Sequence, residues 1–252
     1  MLICGDRRYD NIDLVLFDKD GTLADSEAYL LEQTRRRLDA LEVEVPGIRP
    51  WLARAFGLTE EGLDPSGLMA VGSRAENVAA AAAAIAAHTA RPWAEAVQQV
   101  TDTFRIIDGQ QGDKAAQTPL FAQADPLLRD LVAAGVQIGL VSADTRANLM
   151  AFCSRYDCAG RVSGLRGSDD RPAKPDPGCI RSLCAELGIS PTRTLMVGDA
   201  TSDMCMGRGA GCAGVIGVRW GWRRPPRITD ADIMLEDWSQ LRLVAQPVIA
   251  NT

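Results

Sequence analysis

Two carboxylates, Asp18 and Asp20, stand at the end of an apolar run, in Phe17-Asp18-Lys19-Asp20-Gly21-Thr22-Leu23. Placed this way, they can divide a reaction between them. One can attack phosphorus and form a phospho-aspartate. The other can give a proton to the leaving oxygen and later take one from water. Gly21 permits the tight turn that must follow. The plainer reading is an acidic turn in which Thr22 or Asp25 caps a helix. The buried strand expected just ahead of the pair favours chemistry over capping.

Three later stretches carry groups that such a reaction needs. Ser142 lies in Gly139-Leu140-Val141-Ser142-Ala143-Asp144, and Lys174 in Ala173-Lys174-Pro175-Asp176-Pro177. Asp199 and Asp203 follow another apolar run, in Met196-Val197-Gly198-Asp199-Ala200-Thr201-Ser202-Asp203. Phosphoryl transfer needs the equatorial oxygens neutralised and the line of attack fixed. The Ser142 hydroxyl and the Ala143 amide can donate to one oxygen. Lys174 can hold another and shield Asp18 from a negatively charged substrate. Asp199 beside Asp18 makes a hard-oxygen site suited to Mg²⁺. Each group also has a plain role: Ser142 as a helix cap, Lys174 as a solvated loop residue, Asp199 and Asp203 as acids at a helix start.

These residues need a scaffold that brings strand ends together. Short apolar runs at Ile12 to Phe17, Val136 to Val141, Thr194 to Val197 and Gly214 to Val218 read as buried strands, with Ala231 to Leu235 as a final short one. Helices are expected over Pro126 to Ala134, Arg146 to Tyr156 and Pro177 to Leu187, the first and last closed by Gly135 and Gly188. Alternating strands and helices indicate a parallel α/β sheet, whose ligands sit at the carboxyl ends of its strands. Residues 26–118 carry few strand signals, an Ala-rich stretch at Asn77 to Ala87 and a turn-prone Asp64-Pro65-Ser66-Gly67. They read as a helical insertion after the first strand.

Phe17 to Leu23 resembles the first motif of the haloacid dehalogenase superfamily. Asp20 in place of the Tyr typical of the dehalogenases proper points to the phosphatase branch. Ser142, Lys174 and the pair Asp199 and Asp203 follow in the order of the second, third and fourth motifs. The resemblance implies a Rossmann-like core over residues 1–25 and 119–252, with a helical cap over 26–118, as in the phosphoglycolate phosphatase-like subgroup. It implies Asp18 as nucleophile, Asp20 as acid then base, and Ser142, Ala143 and Lys174 on phosphate. It also implies Mg²⁺ held by Asp18, the backbone carbonyl of Asp20 and Asp199, with Asp203 binding through water or orienting Lys174. The substrate would be a small-molecule phosphate ester. A phosphomutase is less favoured, because β-phosphoglucomutase-like members carry a His soon after the first motif and none stands near Asp25 to Leu31. A non-catalytic phosphate-binding protein would be expected to have lost a catalytic carboxylate or the Lys.

Composition narrows the field further. His88 is the single His, which excludes a multi-His metal site and an HExxH zinc site. Seven Cys without a CxxC pair read as free thiols in a reducing compartment. A net charge of −6 argues against nucleic acid or an anionic membrane as the main partner. The N-terminus lacks a secretory apolar stretch and no run is long enough to span a bilayer, so the chain reads as cytoplasmic. Cys205 and Cys212 read as buried small hydrophobes. Arg35-Arg36-Arg37 reads as a solvated face, Arg74 as a substrate contact, and Trp220 and Trp222 as packing residues.

Overall fold

The computed structural model describes residues 1–110 and 112–244. Its main sheet has six parallel strands: β1 (Leu14–Phe17), β2 (Gln137–Val141), β3 (Val162–Arg166), β4 (Thr194–Gly198), β5 (Gly214–Val218) and β6 (Ile233–Leu235). Their order is β6-β5-β4-β1-β2-β3. Between β1 and β2 lie helices α1 (Glu27–Glu44), α2 (Arg49–Phe56), α3 (Arg74–Thr89) and α4 (Trp93–Gln110). Helices α5 (Ala124–Ala133), α6 (Arg146–Arg155), α7 (Pro177–Leu187) and α8 (Thr201–Ala210) alternate with the later strands.

Strand β1 is buried along its whole length, and its alternation divides the core in two. Val15 and Phe17 pack with Leu128 and Leu131 of α5 and Phe152 of α6. Leu14 and Leu16 face the other way, onto Ile180 and Leu183 of α7 and Met204 of α8. A sheet covered by helices on both faces is the parallel α/β arrangement that the strand pattern implied, and the Rossmann-like core that the resemblance implied.

The stretch between β1 and β2 builds its own apolar cluster from Leu38, Leu41, Leu52, Phe56, Ile85 and Phe104. Ala81 and Ala82 are fully buried there, so the Ala-rich helix α3 offers a close-packing face. Ser73 and Glu76 form a reciprocal capping box at its start. Trp222, from beyond β5, joins this cluster and ties it to the sheet.

The structure adds elements that local pattern did not suggest. Edge strand β3, Val-Ser-Gly-Leu-Arg, pairs among the described residues only with β2 and is partly exposed, so it has no continuous apolar run. Leu2–Cys4 pairs antiparallel with Arg7–Tyr9 and with Leu241–Leu243, a partner at the far end of the chain. A two-residue hairpin, Leu58–Thr59 with Gly62–Leu63, interrupts the helical stretch. Cys205 is exposed rather than buried, because it points outward from α8.

Candidate active site

Register places the reactive groups side by side. Phe17 at the end of β1 pairs with Leu140 of β2 and Val197 of β4. The next residues therefore emerge at one sheet edge: Asp18 after β1, Ser142 after β2 and Asp199 after β4. The Asp18 amide donates to the Val197 carbonyl at 2.9 Å and that of Ser142 to the Arg166 carbonyl at 2.9 Å, so the strand ends stay paired up to these two residues.

Asp18, Asp199 and Asp203 are all buried, and each offers an oxygen within 4.8 Å of the other two. The Lys174 ammonium lies 2.8 Å from Asp18 Oδ1 and 2.7 Å from Asp203 Oδ1. Asp203 also works as a helix-start residue, its Oδ2 accepting from the Ala200 amide at 3.2 Å. A side chain at Gly198 would put its Cβ 2.5 Å from the Asp203 carboxyl carbon, so only Gly lets α8 approach β4 this closely. Asp199 is held by the indole N–H of Trp222 on Oδ2 at 2.5 Å and by the Thr22 hydroxyl on Oδ1 at 3.4 Å. Gly21 has φ +77, and Trp222 and Asp199 crowd the place a side chain would take, which leaves no room for another residue.

The electrostatics follow from crowding. Burial pushes Asp18 up to about 6, with Lys174 opposing and Asp203 reinforcing the rise. Burial, then Asp18 and Asp203, push Asp199 well above the usual carboxylate range. Burial would lower Lys174, but its two carboxylate partners outweigh it and the net shift is upward. Three buried carboxylates against one ammonium leave an excess of negative charge on hard oxygen donors. That donor set fits a divalent cation such as Mg²⁺.

Asp20 has different partners. Its Oδ1 accepts from Lys19 Nζ at 2.6 Å and from the Ser26 hydroxyl. Lys19, 1% exposed, also lies 3.3 Å from Asp144 Oδ2, and Lys114 lies 2.6 Å from that same oxygen. Burial opposes ionisation of Asp20, yet Lys19 and Lys114 prevail and its pKa falls below the usual range. Asp144 behaves alike: burial raises it, Lys114 and Lys19 outweigh burial, and it ends well below. A carboxylate depressed in the folded state contributes stability above its unfolded pKa, about 4, and loses it as pH falls toward its folded value. The stability gap between wild type and Asp144→Asn should therefore shrink steadily below about pH 4. Urea midpoints at pH 3 and pH 7 check this, and equal gaps at both would contradict it.

Ser142 is 1% exposed, and its Oγ accepts from the Asp144 amide at 3.1 Å. It is not the cap of α6; Thr145 is, accepting from the Asn148 amide. Ala143 lines a cavity of about 400 Å³ that opens beside Asp20 and runs beneath α1 and α3. Arg37 corrects the expected solvated face: Arg35 and Arg36 are exposed, but Arg37 turns inward, 4% exposed, over the Phe104 ring at 4.3 Å. It pairs with Asp108 at 3.0 Å, and Arg74 reaches the other oxygen of Asp108 at 2.8 Å. Arg74 also lines the cavity.

Sequence reasoning missed Trp222 on Asp199, Ser26 on Asp20, and the Lys114–Asp144–Lys19 chain. A signal existed for Lys19 and Asp144, which stand inside the two motif stretches. None existed for Lys114. Trp222→Phe would keep an aromatic ring in the cluster, at the cost of a small void, and remove the hydrogen bond to Asp199. It should weaken Mg²⁺ activation about tenfold, read from a metal titration of activity; an unchanged titration midpoint would refute the orienting role.

A haloacid dehalogenase-like hydrolase family model matches residues 12–211. The chain is 27% identical over 241 residues to a phosphoglycolate phosphatase from Salmonella typhimurium, covering 93% of this chain and 92% of that one. It is 29% identical over 225 residues to a phosphoglycolate phosphatase from Escherichia coli O157:H7, covering 85% and 84%. A crystal structure of a predicted phosphoglycolate phosphatase from Haemophilus somnus superposes with TM-score 0.68 at 19% identity, over 92% of this chain and 97% of that one, and shares the fold. The chain belongs to the haloacid dehalogenase-like hydrolases. Within that family it is a phosphatase, a hydrolase of phosphoric monoesters.

Proposed function

We propose that this enzyme removes phosphate from a small-molecule monoester through an aspartyl-phosphate at Asp18, with Mg²⁺ as cofactor. The observation that carries the proposal is Asp18 at a strand end, its Oδ1 2.8 Å from Lys174 Nζ, beside Asp199 and Asp203. Asp18, Asp199 and the carbonyl of Asp20 would hold Mg²⁺, with Asp203 in support. The bound ion would neutralise charge on the transferring phosphoryl group.

The chain's own groups do the rest. Lys174 holds Asp18 by one oxygen, fixing its direction, and carries positive charge toward the phosphate. Ser142 and the Ala143 amide bind a phosphate oxygen. Asp18 attacks phosphorus while Asp20 protonates the leaving oxygen. Asp20 then takes a proton from the water that cleaves the aspartyl-phosphate. The Lys19 pairing keeps Asp20 ionised, which suits the second step. A phosphate bound nearby adds negative charge and raises Asp20 toward the protonated form that the first step needs.

Residues 26–118 act as a cap that excludes water and reads the leaving group, over a core of residues 1–25 and 119–252, of which 245–252 lie outside the described residues. We place the enzyme in the cytoplasm; among the described residues no helix is long and apolar enough to cross a membrane. A phosphomutase finds no support, because His88 sits exposed at the far end of α3, against the Pro46 carbonyl. The names of the relatives make 2-phosphoglycolate a first substrate to assay. Purified protein should hydrolyse phenyl phosphate with Mg²⁺ and stop in EDTA. Activity indifferent to EDTA would remove the metal from the scheme.

A further inference from the structure

The segment after β5 reaches back over the site with two indoles that serve different partners. Trp220 donates through Nε1 to the Thr22 carbonyl at 2.9 Å and stacks on Trp238, 4.3 Å between ring centroids, against the core cluster of β1. Trp222 donates through Nε1 to Asp199 at 2.5 Å, but its ring is buried among the inserted helices. Every other buried member of that apolar cluster among the described residues lies between residues 29 and 104, so Trp222 is the side chain that enters it from the sheet. Between the two indoles the backbone is pressed onto the turn after Asp20: a Cβ on Gly221 would collide with the Gly21 carbonyl. One residue further on, the Arg223 amide donates to Glu27 Oε2 at 2.9 Å, in the first turn of α1.

One side chain therefore has its polar end on a carboxylate of the acid cluster and its apolar body in the insertion. Trp222 is 6% exposed, and a buried aromatic ring of this kind covers about 150–250 Å². If the inserted helices move off the sheet, the ring loses that cover, and the indole loses the fixed direction from which it holds Asp199. We propose that Trp222 is a positioning residue that couples the seating of the inserted helices to Asp199, so that cap closure and divalent-cation binding strengthen each other. The proposal rests on the metal and cap readings above and adds a link between them. The link runs both ways: if a seated insertion raises cation affinity by some factor, the bound cation must favour the seated insertion by the same factor. Arg223 and Glu27 form a second join along the same path, backbone to the start of α1.

The test is amide hydrogen exchange of the full chain in EDTA and in saturating Mg²⁺, read over α1 and α2, with Mg²⁺ binding measured by calorimetry on the same samples. In wild type, Mg²⁺ should slow exchange of these helices by about fivefold or more. In Trp222→Phe at saturating Mg²⁺ that ratio should fall to about one. A tryptophan that only packs would change exchange equally with and without the ion, and stabilisation of the core by Mg²⁺ alone would slow exchange in both proteins. A wild-type ratio retained in Trp222→Phe therefore overturns the role of Trp222. If Mg²⁺ binds wild type and leaves α1 and α2 unmoved, the coupling is overturned while the metal reading stands; if Mg²⁺ does not bind wild type, both fall. A second pair of variants leaves Trp222 in place. Glu27 is not a member of the acid cluster. Glu27→Ala and Glu27→Gln lose the same charge, but the Gln amide oxygen can still accept from Arg223. Glu27→Ala should bind Mg²⁺ about fivefold more weakly than Glu27→Gln, and equal affinities would overturn the coupling through this join.

Discussion

Asp18→Asn should lower kcat on an aryl phosphate by about 10⁴-fold or more, with little change in fold. The amide keeps the shape of the side chain but cannot form the acyl phosphate, so chemistry stops at its first step. The same substitution removes one charge from a crowded group of buried acids. Asp18 is a buried carboxylate raised to about 6 by burial, with Asp203 adding to the rise. Making it neutral removes one of three crowded acids while Lys174 keeps its contact with Asp203 at 2.7 Å. The variant should therefore melt no lower than wild type in EDTA and gain less from added Mg²⁺ than wild type does. A measured kcat within tenfold of wild type would refute the nucleophile. A variant that is inactive and also unfolded would leave kcat uninformative, so the thermal midpoint in EDTA belongs in the same experiment.

Lys174→Met should do the reverse to stability. The ammonium is 7% exposed on its side chain and is within 2.8 Å of two buried carboxylates. Removing one partner of a buried ion pair leaves uncompensated charge and costs about 3–5 kcal/mol. Here the methylene stem is replaced at similar size, so the loss is electrostatic rather than a cavity. Activity should fall about 10³-fold, because phosphate binding and the aim of Asp18 are lost together. Mg²⁺ binds the folded state and supplies positive charge to the same oxygens, so it should raise the melting temperature of Lys174→Met by more than that of wild type. Equal melting temperatures for variant and wild type in EDTA would show that Lys174 does not hold the carboxylates together.

Much of the candidate site was legible because its signals are local. Asp18, Ser142 and Asp199 each follow a short apolar run, and a buried parallel strand is the kind of element that such a run makes. The matching register of β1, β2 and β4 then puts the three strand ends on one edge. Lys174 was harder, since it sits on a loop and is 156 positions from Asp18; the order of the motifs, not its own surroundings, singled it out. Strand β3 escaped notice because an edge strand need not be continuously apolar, and Leu2–Cys4 because one of its partners lies at the other end of the described chain.

By itself the sequence determined which groups can react. Carboxylates, one Lys and one Ser stand at strand ends and loops, and a single His closes off metal sites that need two or more. Only the tertiary structure decided which of them meet. It gathers Asp203 with Asp18 and Asp199 and engages Asp20 with Lys19 and Ser26. It turns Arg37 inward while its two Arg neighbours face water, and brings Trp222 onto Asp199. The physical reason is that a side chain's charge state and direction follow from burial and from partners supplied by other elements, and residue type alone specifies neither.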